Sequence, residues 1–403
     1  MTRTAQTETT TSVSKNLFVA LELSKETWKL AFTTGRTQKP RIRDVKARDL
    51  PGLLSEIQAA KKRFDLSQDA SVTSCYEAGR DGFWIHRFLE ANGVKNWIID
   101  PASIEVDRRQ RRAKTDRIDA LKMVKLLARH ADGEEVLRIV RVPSLEAEDE
   151  RLLPRQLSML KSKRTQASNQ IVAKLFLHGV DLNPRQGNFS KREFLQKLKA
   201  ARQWNGSVLP PELLRTVRAL WRQYALITTQ IKELEQRQRK MLREARIDPE
   251  AATDAQRKGA LLSQLKGIGD IGGYTLATEF FAWRNFKNRG EVGALAGLTG
   301  TPFQSGDSSR EQGISKAGNP RVRTLMVELS WLWLRWQPES CTARWFKSRV
   351  GNGGSRSKRK AIVAVARKLL IELWHFVEHG ILPAGAVLKT EGRVESVPAE
   401  VAA

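Results

Sequence analysis

The stretch that decides the fold of the first part of the chain is residues 17–34, LFVALELSKETWKLAFTT. Residues 17–23 form an apolar run with one polar break, and residues 28–34 form a second run after a short turn. Residues 41–45 then alternate polar and apolar side chains, as a third strand would. These three segments predict an antiparallel meander.

Helical and extended patterns alternate downstream of the meander. A helix is predicted after Asp49, a good N-cap residue, because apolar residues then recur at helical spacing up to Phe64. Further strands are predicted at residues 71–76 and 97–100, and further helices at 82–91 and 116–130. The order βββαβαβα, with right-handed crossovers, predicts an α/β domain over residues 16–140, a mixed sheet with helices on its faces.

The pattern changes to helices between residues 141 and 250. Apolar residues recur there at alternating steps of four and three, with one lapse at Gln238, which is typical of a coiled-coil seam: Leu213, Val217, Leu220, Tyr224, Ile227, Ile231, Leu234 and Met241. An earlier helical stretch, residues 155–177, could fold back on this helix, with Pro154 at its start. The pattern is equally compatible with an intramolecular hairpin and with a dimerising arm.

A third, mainly helical domain is predicted over residues 255–385. Residues 265–269, LKGIG, precede a helical pattern and predict a helix-hairpin-helix-like motif. Gly267 and Gly269 would let the backbone turn so that amides of the next helix face a phosphate, although a plain helical turn is the alternative. Residues 303–319, rich in Ser and Gly, are predicted to be a loop, and residues 1–15 and 386–403 to be tails.

The charge balance predicts a polyanionic partner. The formal charge is +26, from 70 Lys and Arg against 44 Asp and Glu, and such a field attracts nucleic acid. No apolar stretch reaches the roughly 20 residues of a spanning helix, and Cys75 and Cys341 are too few for a disulfide framework. We therefore expect a soluble, nucleoid-associated protein of a bacterial-type cytoplasm, with no membrane partner.

Two basic segments are predicted to contact phosphate groups of DNA or RNA. The first spans residues 108–114 and contains Arg108, Arg109, Arg111, Arg112 and Lys114. The second spans residues 344–368, where no acid occurs, and includes Arg356, Lys358, Arg359 and Lys360. A merely solvated face is the alternative for the second segment.

Four acidic residues are placed where they could converge. Glu22 interrupts the first strand, which should be central and buried, and a buried carboxylate needs a cation. Glu77 ends the predicted neighbouring strand, while Asp116 and Asp119 begin a helix on one face. Mg²⁺ relieves the repulsion of clustered carboxylates, and two such ions could activate an attacking oxygen and stabilise a leaving one. The alternatives are an N-cap for Asp116 and a solvated face for the aspartate pair.

Four blocks of the chain resemble those of the DEDD-type insertion-sequence transposases, relatives of the Piv invertase. Three of them contain the acids: FVALELS at 18–24, YEAG at 76–79 and AKTDRIDA at 113–120. The fourth resembles the C-terminal transposase block of that family and runs from GLT at 297–299 through Ser305 and GISKAGN at 313–319 to Arg323. With the linking helices, the resemblance covers residues 16–380.

This resemblance implies a RuvC-like, ribonuclease-H-like fold, a Mg²⁺-bound acidic tetrad and a nucleophilic serine. The family block selects Ser305 over its chemically equivalent neighbours Ser308 and Ser309, and Glu22 stands where the family usually has Asp. The resemblance also implies a structured noncoding guide RNA that bridges donor and target DNA, and dimers that pair into tetramers. Three cations near the serine could hold a phosphate in position: Arg310, Lys316 and Arg323.

The expected function is therefore that of a transposase that cuts and rejoins DNA strands. One alternative is a RuvC-like Holliday-junction nuclease, which would use water and need no serine. A second alternative is a nonenzymatic nucleic-acid-binding protein with merely structural acids. Strand cleavage with Mg²⁺ separates the second alternative from the two enzymes.

Overall fold

A computed structural model describes residues 16–104, 115–186, 189–305, 308–351 and 353–389. These residues form two compact units that divide between Val142 and Pro143, close to the boundary predicted at residue 140. The predicted N-terminal tail and the first basic segment, residues 108–114, lie outside the described residues. No helix in the described ranges is long and apolar enough to cross a bilayer.

The first unit is built on a five-stranded mixed sheet in the order β3-β2-β1-β4-β5. Strands β1, β2 and β3 form an antiparallel meander, and β4 and β5 continue the sheet parallel to β1. The α/β architecture expected from the alternating patterns is confirmed. The strand bounds lie within two residues of the predicted ones: β1 Leu17–Glu22, β2 Thr27–Thr33, β3 Arg41–Lys46, β4 Val72–Glu77 and β5 Lys95–Ile99.

Helices cover both faces of this sheet, because β1 is apolar on both sides. The helices α1 (Leu50–Arg63) and α2 (Trp84–Ala91) pack on one face, where Val19 and Leu21 point. Helix α3 (Asp116–Ala131) packs on the other face, where Phe18 and Ala20 point. The predicted N-cap of α1 is confirmed, since the carboxylate of Asp49 accepts a hydrogen bond from the amide of Gly52 at 2.9 Å.

Helix α3 runs antiparallel to β1, and ion pairs at its end show this direction. Arg36 follows the end of β2, which pairs with the start of β1. Its guanidinium contacts Asp132 at 2.7 Å and Glu134 at 2.5 Å, just beyond the last residue of α3. The end of α3 therefore lies near the start of β1, and the beginning of α3 lies at the edge where β1 and β4 end.

The second unit is mainly helical, as predicted, but it also contains a two-stranded hairpin. Residues 303–319, expected to be a loop, contribute to β6 (Gly300–Ser305) and β7 (Ser308–Ile314). A π-helical segment, Ala277–Phe281, follows α9 directly. The helices are α4 Leu145–Glu150, α5 Leu152–Phe176, α6 Lys191–Ala200, α7 Pro211–Ile247, α8 Asp254–Leu262, α9 Asp270–Leu276, α10 Arg289–Leu295, α11 Pro320–Trp336, α12 Cys341–Val350 and α13 Ser355–His379.

Helices α5 and α7 form an antiparallel hairpin within the chain. Near the start of α5, Leu160 packs with Ile231, and near its end Ile171 packs with Val217. The intramolecular hairpin left open by the sequence is therefore formed, and it occupies the seam predicted from the apolar spacing. The lapse in that seam, Gln238, is fully buried and donates from Nε2 to the carbonyl of Asp270 at 3.1 Å, which connects α7 to α9.

A buried ion pair joins α5 to the π-helical segment. Glu279 is 1% exposed, and its carboxylate accepts hydrogen bonds from Nε and Nη2 of Arg155 at 2.6 and 2.9 Å. The side-chain amide of Asn319, the N-cap of α11, donates to the same carboxylate at 3.2 Å. Burial by itself raises the pKa of Glu279, but the hydrogen bonds and charge of Arg155 outweigh burial and lower the pKa below its ordinary value.

Replacing Glu279 tests how strongly this contact stabilises the second unit. Glu279→Ala leaves Arg155 without its carboxylate acceptor, and breaking a buried pair costs about 3–5 kcal/mol. Asn319 loses one of two acceptors, because its side-chain amide also donates to the backbone carbonyl of residue 279 at 3.3 Å. We expect the lower end of that range, because the Arg155 side chain is 37% exposed. The free energy of unfolding should be measured by urea denaturation at neutral pH, with Glu233→Ala on the exposed face of α7 as the control.

The stability difference between wild type and Glu279→Ala is also expected to depend on pH. Because the folded chain depresses the pKa of Glu279, the stabilisation is present above the unfolded pKa of about 4.3 and is lost as the pH falls through the folded pKa. The difference in unfolding free energy between wild type and Glu279→Ala should therefore shrink in acid. A difference that is small at neutral pH, or one that does not change with pH, would contradict this account.

Candidate catalytic residues and their positions

Glu22 and Glu77 end two neighbouring parallel strands of the sheet. The pairing register brings the ends of β1 and β4 side by side. Ala20 and Cys75, each two residues before a glutamate, pack against α3, and side chains two apart in a strand share a face. Both glutamates therefore lie at the carboxyl edge of the sheet, on the face that α3 covers.

Asp116 and Asp119 are in the first turn of α3, which begins at that same edge. The N-cap is Thr115, whose hydroxyl accepts a hydrogen bond from the amide of Ile118 at 3.3 Å. Asp116 is thus the first helical residue, and the alternative that made it the N-cap is wrong. The four acids that the sequence selected share one edge and one face of the sheet.

The surroundings of Glu22 differ from the expectation. It was expected inside a buried strand, but it is the last residue of β1 and is only half-buried. The reason is the turn that follows at once, in which the hydroxyl of Ser24 donates to the carbonyl of Thr27 at 2.5 Å and accepts from its amide at 3.1 Å. A carboxylate at a strand end can keep part of its hydration, so its cost of burial is smaller.

The donor chemistry of this edge fits a hard divalent cation. All four side chains offer carboxylate oxygens, the ligand type that Mg²⁺ prefers. Over the described ranges, no three side chains of His, Cys, Asp or Glu lie close enough together to hold one metal ion. The acids are therefore gathered at one edge without forming a closed coordination shell.

Ser305 is the last residue of β6, paired with Ser308 at the tip of the β6–β7 hairpin. Only residues 306 and 307, outside the described residues, separate the two strands. Arg310 lies in β7 opposite Phe303. The side chains of residues 302–312 also lie outside the described part, so the structure gives backbone positions for Ser305, Ser309 and Arg310.

The base of this hairpin is held by Arg323, one of the three cations expected to hold a phosphate. Its Nη1 donates to the carbonyl of Ala296 at 3.3 Å and to that of Lys316 at 3.1 Å. These carbonyls belong to the segments that enter and leave the hairpin. Arg323 thus positions the hairpin, while Lys316 itself has a left-handed backbone with φ of 56°.

Two glycines allow the segments at the hairpin base to approach each other. A Cβ atom on Gly318, where φ is 134°, would lie 2.3 Å from the carbonyl oxygen of Leu295. A Cβ atom on Gly297, where φ is 69°, would lie 2.6 Å from Nη1 of Arg323. No larger residue fits this backbone without displacement.

The glycine-rich turn between α8 and α9 packs against protein on its inner side. A Cβ atom on Gly267 would lie 3.3 Å from Cβ of Trp336 in α11, whereas Gly269 is exposed and is the N-cap of α9. Lys389 donates from Nζ to the carbonyl of Ile268 at 2.5 Å, so ordered chain continues four residues beyond the predicted domain end at 385. A helix-hairpin-helix motif remains a prediction.

The second basic segment includes the beginning of α13. Arg356, Lys358, Arg359 and Lys360 are all exposed there, and in the described part of the chain none of them has an acidic partner within ion-pair distance. The first turn of α13 contains no acid. Cations at a helix N-terminus oppose the helix dipole, whereas a phosphate would be attracted by both.

Sequence reasoning missed the contact of Glu279 with Arg155. The signal was present, because Glu279 precedes Phe280 and Phe281 in an otherwise apolar helical pattern. This is the same kind of signal that selected Glu22: an acid at a position that should be buried. Its partner, 124 residues earlier in the chain, could not be identified from any local pattern.

Comparisons with known proteins agree on one family. The family model described as "Transposase IS116/IS110/IS902 family" matches residues 259–345, which include the β6–β7 hairpin and Arg323. A protein of Sinorhizobium fredii named "Putative transposase y4rJ" is 39% identical over 381 residues, which cover 93% of this chain and 95% of that protein. The transposase for insertion sequence element IS1328 of Yersinia enterocolitica is 30% identical over 183 residues, 45% of this chain and 49% of its own length.

Gly318→Ala tests whether the two segments at the base of the hairpin must approach each other closely. In Gly318→Ala the new methyl group would meet the carbonyl of Leu295 in a backbone conformation unfavourable to alanine, which costs about 1–3 kcal/mol. We expect the thermal unfolding midpoint to fall by about 3–8 °C. The matched control is Gly300→Ala in β6, where a Cβ atom would have ordinary contacts, the nearest at 3.9 Å. Equal midpoints for the two variants would show that the close approach is not required.

Proposed function

Because the chain belongs to the IS116/IS110/IS902 family of insertion-sequence transposases, we propose that it cuts and rejoins DNA strands with two sets of groups. The first is a Mg²⁺-binding acidic site on the first unit, made of Glu22, Glu77, Asp116 and Asp119. The second is a serine nucleophile, Ser305, on the second unit. The observation that carries the proposal is that the four acids share one edge and one face of the sheet.

We assign the first unit to a RuvC-like catalytic domain. The support is the strand order β3-β2-β1-β4-β5, in which a meander is followed by strands parallel to β1. In this order β1 is central and β4 is its parallel neighbour, so two acids at their ends necessarily come together. Helix α3 then adds two further acids at its first turn.

Bound Mg²⁺ would supply charge stabilisation at the attacked phosphate and at the oxygens that gain negative charge. The acids would hold it through their carboxylate oxygens, with Glu22 reaching one methylene further than the usual aspartate. The described acids do not by themselves form a group of three that could hold one ion, so the proposed site would be completed by phosphate oxygens of the bound DNA, which are common ligands of Mg²⁺. The segment 105–114, directly before α3, lies outside the described residues.

Amide substitutions at the two aspartates test the acidic site. Asp116→Asn and Asp119→Asn keep the side-chain shape and remove one charge each, so both variants should fold and bind DNA but lose Mg²⁺-dependent cleavage by at least about 100-fold. Binding of Mn²⁺ in place of Mg²⁺, followed by electron paramagnetic resonance, should weaken in parallel. The control is Asp69→Asn, an exposed acid before the start of β4, at the opposite edge of the sheet. Unchanged Mn²⁺ affinity in both variants would remove the aspartates from the site.

For the second set of groups, we propose that Ser305, at the tip of the hairpin, attacks the DNA strand. Its Oγ would form a bond to phosphorus and lose its proton to a base, while the bond from phosphorus to the leaving strand breaks and that strand's oxygen takes up a proton. Rejoining reverses this step with a different strand as the attacking group. A hairpin held firmly at its base by Arg323 can present a reactive residue at its tip in a defined position.

Trapping the covalent intermediate tests the nucleophile. On nicked DNA substrates, wild type should form a protein–DNA adduct that mass spectrometry maps to Ser305, and Ser305→Ala should form none. Ser308→Ala and Ser309→Ala serve as controls and should keep the adduct, because only one hydroxyl attacks. An adduct that persists in Ser305→Ala but is absent from one of the controls would move the nucleophile. Cleavage without any adduct would indicate a hydrolytic nuclease.

We also propose surfaces for nucleic acid and for pairing of protomers. The basic residues 108–114, the exposed cations at the start of α13 and the turn with Gly267 and Gly269 would contact DNA or a structured guide RNA. Pairing of protomers cannot use Ile231, which is 2% exposed inside the α5–α7 hairpin. An exposed residue of α7 outside the seam, such as Leu226, is available for a contact between protomers.

A further inference from the structure

A basic groove that the proposed function does not use lies between α6 and the first half of α7. Its volume is about 1040 Å³. On each helix, the residues that line the groove follow the first one by three, four and seven positions, so they lie on one face of the helix over two turns. Cations stand along both walls, namely Arg192 and Lys199 on α6 and Arg215, Arg218 and Arg222 on α7. All five of these side chains are exposed.

Acidic residues are almost absent around this groove. Between residues 182 and 232 the chain contains only Glu193 and Glu212 as acids. Glu193 accepts the amide of Ser190 at 2.7 Å in the capping box of α6, and Glu212 pairs with Arg215 at 2.8 Å. Arg218 and Arg222 have no acidic partner among the described residues. The groove therefore keeps an unbalanced positive charge.

The walls of the groove are held rigidly before any ligand binds. Beneath the groove, the ring of Phe194 from α6 stacks on the ring of Trp221 from α7, with centroids 3.9 Å apart and planes 20° apart. Both rings are buried. The floor between the cations is apolar, formed by Leu195 and Ala219. Because the two helices are already packed together, binding would not have to order their backbones.

We propose that this groove binds the phosphodiester backbone of a nucleic acid strand, as a binding site separate from the catalytic residues and from the two basic segments found in the sequence. The inference rests on the proposed function in so far as the chain acts on nucleic acid. Two rows of cations on either side of an apolar floor fit a chain of phosphates with sugars between them. Lys199 is separated from Arg192, and Arg222 from Arg215, by seven residues, or about 10 Å along each helix, which is more than one nucleotide step, so the two cations of each wall would contact phosphates that are not adjacent.

The salt dependence of binding tests the groove. The groove variant combines Lys199→Gln, Arg218→Gln and Arg222→Gln, and the matched control combines Lys232→Gln, Arg237→Gln and Arg243→Gln, exposed cations further along α7. Both variants remove three charges from exposed positions. Each lost phosphate contact lowers the slope of log affinity against log salt by about 0.7–0.9, so the groove variant should lose about 2 and the control less than about 0.5. The probes are a random-sequence DNA duplex and an RNA hairpin of equal length.

The two probes distinguish DNA from RNA as the ligand of the groove. A slope change with the RNA hairpin alone, with the DNA duplex alone, or with both supports the groove and identifies its ligand. Equal slopes for the groove variant and the control overturn the proposal, as does a wild type that binds neither probe. As a second readout, acetylation of Lys199 should be blocked by the bound probe while Lys232 stays reactive. Failure of wild type to cleave DNA would overturn the proposed function but leave these binding measurements intact.

Discussion

The second unit depends on one buried charge, the carboxylate of Glu279. It is hydrogen-bonded by Arg155 from α5 and by Asn319, which caps α11. An isolated buried carboxylate would be strongly unfavourable, so the fold is stable only when these partners are in place. The contact fixes the chain at residue 319, directly after the segment that leaves the β6–β7 hairpin. The position of the proposed nucleophile therefore depends on a residue far from it in sequence.

In the first unit, the positions of the candidate acids depend on the central strand β1. β1 is apolar on both faces, and helices therefore cover both sides of the sheet. Glu22 lies outside the apolar interior because the strand ends at this residue. The ion pairs of Arg36 with Asp132 and Glu134 fix the direction of α3, and with it the placement of two aspartates at the edge already occupied by two glutamates. The topology thus puts acidic residues of three separate elements at the same edge of the sheet, although no three of the described side chains are close enough to hold one ion.

The excess positive charge of the chain is distributed over exposed helices rather than over the cores. In α13 and in the groove between α6 and α7, the cations stand on rigid helices whose opposite faces are packed. Placing like charges side by side is unfavourable in the free protein, and binding a polyanion removes that repulsion. The first unit therefore has an edge where acidic residues end the strands, and the second unit has basic surfaces on its exposed helices.

Elements with local signals could be predicted from the order of the residues alone. The strands of the meander, the Asp49 cap, the helix that begins with Asp116 and the seam of α7 all follow from the spacing of apolar and capping residues, which depends only on near neighbours. Three features became known from the folded chain: α5 covers the α7 seam, residues 300–314 pair as a hairpin, and Arg323 holds the base of that hairpin. These contacts join residues that are distant in sequence, and backbone pairing or a carbonyl acceptor leaves no pattern in the side chains that could predict it.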